Sequence, residues 1–175
     1  MLKEEKISLL AKVARTPARS RAGKGDTAPD SNSILSLAAA SYGSRPDDDA
    51  TVPTGFDPVA VALFEAIVEA AYLVAASDGV VDADEREAFE RVVAAACGGA
   101  VAPKNIADLV GDLVGQLEED GMDRRIQAVG ELITKKAHAE EVLRIAALLA
   151  QASESVSDIE RQTLLRIAEV CKLQP

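Results

Sequence analysis

The chain has 175 residues, a length that suits one domain or one domain with a tail. Nineteen Lys and Arg against twenty-nine Asp and Glu leave a net charge of −10, and the sequence pI is near 4.6. Aromatic residues make up 3% and Trp is absent, so an acidic chain with few stacking faces is a poor binder of nucleic acid, and no nucleic-acid partner is expected.

The N-terminus departs from this average. Residues 1–24 carry seven basic groups and two acidic ones, whereas residues 25–58 carry one basic group and six acidic ones. Lys3 to Ala14 has the spacing of a short helix, with Ile7, Leu9, Leu10 and Val13 apolar and Lys3, Lys6 and Lys12 basic. It reads either as a fraying terminus or as a docking element for an acidic partner or a membrane surface. Residues 17–55 are rich in Gly, Pro, Ser, Thr and Asp without a sustained period, which predicts a linker outside the core. A second apolar island, Ile34 to Tyr42, interrupts it. Part of that island faintly suggests a secretory signal, but it is short and follows a polar run, so a cytoplasmic protein is expected. Residues 1–55 are therefore assigned to an extended N-terminal tail, with residues 1–45 as the segment for protein partners or peripheral membrane contact. Residues 56–175 are assigned to a domain.

From Asp57 the pattern is helical. Asp57-Pro58 is an N-cap followed by Pro at the first helical position, and the helix runs to about Ser77 with Val61, Phe64, Val68, Ala71 and Ala75 on one face. Glu65 and Glu69 interrupt this longest apolar stretch, and spanning a bilayer needs about 20 nearly uncharged residues. A second helix is predicted over 82–97. Pro103 opens a third, with Ile106, Leu109, Val110, Leu113, Val114 and Leu117 at spacings of three and four until Gly121 ends it. A fourth covers about Asp123 to Lys136, with Ile126, Val129, Leu132 and Ile133 inward. Helices over 140–152 and 157–172 follow. No window alternates like a strand. The body is predicted all-α, a compact bundle of about six helices.

At an offset of 75 residues the chain matches itself without gaps. Ala71-Tyr72-Leu73-Val74-Ala75 falls on Ala146-Ala147-Leu148-Leu149-Ala150, and Val81-Asp82-Ala83-Asp84-Glu85-Arg86 falls on Val156-Ser157-Asp158-Ile159-Glu160-Arg161. Each half reads as a helix, a tight turn and a second helix. Each second helix opens on a capping box, Asp82 with Glu85 and Ser157 with Glu160. Two hairpins, 58–77/82–97 and 140–152/157–172, are expected to be related by a pseudo-two-fold axis.

The run Ala75-Ala76-Ser77-Asp78-Gly79-Val80-Val81-Asp82-Ala83-Asp84-Glu85-Arg86 resembles the turn of the tellurite-resistance TerB-like family. The resemblance covers about residues 58–173. It implies a small all-helical bacterial cytoplasmic domain, with acidic residues grouped near the two turns and proposed to bind divalent cations. It also implies a role in stress or tellurite-resistance systems, often beside membrane proteins and other Ter components, and no catalytic activity. The second turn departs from the pattern: Asp78 corresponds to Ser153 and Gly79 to Glu154, which puts symmetric binding in doubt.

Calcium, magnesium and manganese prefer several oxygen ligands. The candidates are Asp78, Asp82, Asp84 and Glu85, with Glu154, Asp158 and Glu160 expected across the pseudo-dyad. The loop is no EF-hand, since from Asp78 the third position is Val80 and the twelfth is Phe89. The competing reading gives Asp82 and Glu85 to capping, because acidic groups at a helix N-terminus are favoured without any ion. Cys97 and Cys171 read as buried small hydrophobes, and His138 as a surface or cap residue beside Lys135 and Lys136. Neither a phosphate-binding glycine loop nor a nucleophile–base pair is evident, so enzyme is the least supported class. Two functions stand. One is a TerB-like domain responding to a divalent cation; the other is an adaptor docking through its tail or its helical body, with no ion.

Overall fold

Seven helices make up the regular structure of the computed structural model, which describes residues 4–15, 34–44, 57–151 and 157–172. They are α1 (Glu4–Arg15), α2 (Ile34–Gly43), α3 (Pro58–Ala75), α4 (Ala83–Cys97), α5 (Pro103–Leu132), α6 (Lys136–Ala150) and α7 (Asp158–Val170). No strand occurs among the described residues. The all-α expectation is met.

Helix α3 is the axis of the bundle. Asp57 Oδ1 accepts from the Val59 amide at 2.9 Å, and Pro58 occupies the first turn, where its missing N–H costs nothing. Every residue from 66 to 74 is buried, so the helix is enclosed all round rather than along one face. Helices α2, α5, α6 and α7 pack on it. It is the one described helix long and apolar enough to cross a membrane, and here most of it, though not Val59, is covered by its neighbours.

Helix α5 bends where the sequence places a stop. Gly121 has φ 78 and ψ 164, a conformation open to glycine, and it divides the helix into arms 103–120 and 122–132. With the arms counted separately, the body from α3 to α7 has the six helices expected. The second arm ends at Leu132, and α6 starts at Lys136, so the predicted boundary of 136 belongs to the next helix. Ile126, Val129 and Ile133 are buried as expected, whereas Leu132 is exposed. Gly130 lets this arm approach α7: a Cβ there would lie 2.9 Å from the Val170 side chain. Arg166 of α7 also pairs with Asp123.

The expected tail is corrected at two places. Helix α1 packs on α4, α6 and α2, and α2 packs on α3, α4 and α6. Ile7, Leu10, Ala11 and Ala14 of α1 and Leu35, Ala38, Ala39 and Tyr42 of α2 are buried in the common core. Both sets follow the spacing i, i+3, i+4, i+7, one helical face. Tyr42 stacks at a tilt on Phe64, ring centroids 4.7 Å apart. Gly43 then lets the end of α2 meet the 98–101 turn, since a Cβ there would run into the Ala100 carbonyl oxygen. Apolar residues that read as isolated islands are core residues. Residues 1–3, 16–33 and 45–56 lie outside the described residues.

The helices α4 and α7 open on the same kind of cap. Asp82 Oδ1 accepts from the Glu85 amide at 2.9 Å, and Glu85 Oε2 accepts from the Asp82 amide at 3.0 Å. Ser157 and Glu160 make the same exchange at 3.2 and 2.5 Å. The helices then take different neighbours. Helix α4 packs along α1, α5, α2 and α6 and meets α3 through an edge contact of Phe89 on Tyr72, whereas α7 packs on α5, α3 and α6. Among the described residues no buried side-chain nitrogen or oxygen lacks a hydrogen bond.

Candidate functional site at the acidic turn

The turn between α3 and α4 is built from the backbone. The Ala76 amide donates to Tyr72 O at 2.8 Å, the Ser77 amide and hydroxyl both donate to Val74 O, and Gly79, at φ 156, carries the chain outward. Val80 stands 96% exposed at the tip. Asp78, Asp82, Asp84 and Glu85 are all exposed. Of these, Asp82 and Glu85 are brought together, each spending one oxygen on the other's amide, while Asp78 and Asp84 stand outside that exchange.

The second turn contributes differently. Glu160 is 3% exposed and holds the Ser157 amide, and Asp158 is exposed at the start of α7. Glu154 lies outside the described residues. Among the described residues, no three or more His, Cys, Asp or Glu side chains come together in a group suited to a metal ion. Arg86, which closes the family-like run, donates to Glu90 Oε1 at 2.9 Å and to Ala107 O at 3.4 Å. Its charge therefore ties α4 to α5.

Two ion pairs that each hold a buried glutamate were not singled out from the sequence. Glu69, on α3, is 4% exposed, and Arg125 Nε and Nη2 reach its Oε1 at 2.7 and 2.6 Å. Arg125 Nη1 also reaches Asp120 at 3.1 Å, so this side chain bridges both sides of the Gly121 bend to the central helix. Burial raises the Glu69 pKa against the lowering pull of Arg125. The only forewarning was a charge inside an apolar run. The second pair joins Arg144 to buried Glu141 on α6, at 2.9 and 2.6 Å.

Cys97 and Cys171 are free and buried, and burial pushes the Cys97 thiol up to about 12, where it is a poor nucleophile. His138 sits in the first turn of α6, half-buried, its pKa lowered by burial and by neighbouring Lys135. Comparison with known protein families, curated proteins and solved structures gives no match for this chain.

Proposed function

We propose that this chain is a non-enzymatic cytoplasmic helical adaptor that docks a protein partner through its N-terminal helices, within residues 1–45. The observation that carries this reading is the two-sidedness of α1 and α2: both bury one face in the core, yet Leu9 and Leu37 are 62% and 56% exposed. The basic balance of residues 1–24 suits an acidic protein surface. A photo-crosslinker at position 9 or 37 of the full chain, in cells that make it, is expected to give the same discrete adduct. Leu9→Glu combined with Leu37→Glu should abolish binding of the protein identified in that adduct. Absence of an adduct, or binding to anionic vesicles instead, overturns the reading.

Asp78 favours a second reading, since it is exposed and free of capping duty. In it, the body is a TerB-like domain of a stress or tellurite-resistance system, its hairpins a pseudo-two-fold duplication. In that reading Asp78, Asp82, Asp84 and Glu85, with Glu154 and Glu160, are the groups that would draw calcium, magnesium or manganese. Ion at a hundred times its dissociation constant would stabilise the fold by about 2.7 kcal/mol. A melting shift at millimolar ion that Asp78→Asn abolishes supports this reading; no heat and no shift in calorimetry leaves the turn to capping.

A further inference from the structure

We propose that α1 is a releasable strap: it folds on the face made by α4, α6 and α2, and it undocks as a unit while the rest of the body stays folded. This deepens the adaptor reading and rests on it for the partner, because release is what would hand residues 1–15 over. The undocking itself is measured without a partner.

The hold on α1 is narrow. Of its four buried side chains only Ile7 and Leu10 are large; the other two are Ala11 and Ala14. A helix of 12 residues is marginal alone in water, so α1 owes its helical form to its seat. Both ends are held by charges from the body. Arg91 of α4 pairs with Glu4 at the start. At the other end Arg144 of α6 donates to the carbonyls of Val13 and Ala14 at 3.2 and 3.3 Å, where the helix dipole favours a cation. Arg144 is fixed from below by Glu141, its own neighbour on α6, so the receiving fork is built into the body. In the sequence, α1 ends at Arg15 and α2 begins at Ile34. Once released, the segment presents Ile7 and Leu10 as well as the already exposed Leu9 and Val13.

Hydrogen exchange followed by mass spectrometry on the full chain tests this. The amides of α1 are expected to exchange at least about 100-fold faster than those of α3, because local opening precedes global unfolding. Arg144→Lys keeps a charge for Glu141 but loses the fork that reaches two carbonyls. It should speed exchange in α1 about tenfold and leave α3 unchanged. Leu10→Asp should remove protection from α1 altogether while α3 keeps its own. Equal losses in α1 and α3 in these variants, or exchange of α1 only through global unfolding, would show that α1 is inseparable from the core.

Discussion

At Glu69 burial and pairing pull in opposite directions, and burial is the larger, so the folded carboxyl keeps its proton to higher pH than the unfolded one. A group of that kind adds stability that is full below its ordinary value of 4.5 and is lost as pH rises through the folded value. Glu69→Gln removes this contribution yet leaves Arg125 a hydrogen-bond acceptor. The difference between wild-type and variant stabilities in urea melts should therefore shift in the variant's favour as pH rises from 4 through the weakly acidic range, then level off. A flat difference would mean that Glu69 does not titrate there. At Gly43 the constraint is steric. A methyl group would meet the Ala100 carbonyl oxygen, so α2 or the 98–101 turn must move. Gly43→Ala is expected to cost about 1–3 kcal/mol in the same melts, and a neutral substitution would show that this approach is loose.

At the scale of elements, the capping boxes are what the sequence announced most clearly. Asp82→Ala and Ser157→Ala should each cost about 1 kcal/mol, whereas Asp82→Asn should cost little, since Asn caps about as well as Asp. If Asp82→Asn costs as much as Asp82→Ala, the Asp82 charge matters beyond capping. Caps, the Pro103 start and the Gly121 break were legible because each depends on residues within one turn of the chain. The destinations of α1 and α2 were not. Ile7, Leu9, Leu10 and Val13 read as one apolar set, but Leu9 is exposed and Ala11 and Ala14 take the buried places. Small residues pack closely without raising apolar contrast, so that face is faint in the sequence. The partnership of Glu69 with Arg125 was equally hidden, because the two lie 56 positions apart and meet only through the fold. Of the acidic candidates, the capping duties of Asp82, Glu85 and Glu160 could be read in advance, but the burial of Glu160 could not.

For the whole molecule, the question is how much of the fold the first 56 residues hold together. Helix α1 lies on outer helices, but α2 lies on α3 itself, where Leu35, Ala38, Ala39 and Tyr42 are buried and Tyr42 covers fully buried Phe64. Each large side chain of this kind is worth about 1.5–3 kcal/mol when buried, and a whole domain is stable by only about 5–15 kcal/mol. Removing α2 also uncovers apolar surface on α3, the one described helix apolar enough to cross a membrane, which favours aggregation. Two truncations separate these contributions. Deleting residues 1–33 should lower the calorimetric melting temperature by a few degrees and leave a cooperative transition, as expected for loss of a strap. Deleting residues 1–56 should lower it by much more, broaden the transition and expose dye-binding apolar surface. Equal melting of the full chain and the 57–175 fragment would return α2 to the tail and leave α3 enclosed by α5, α6 and α7 alone.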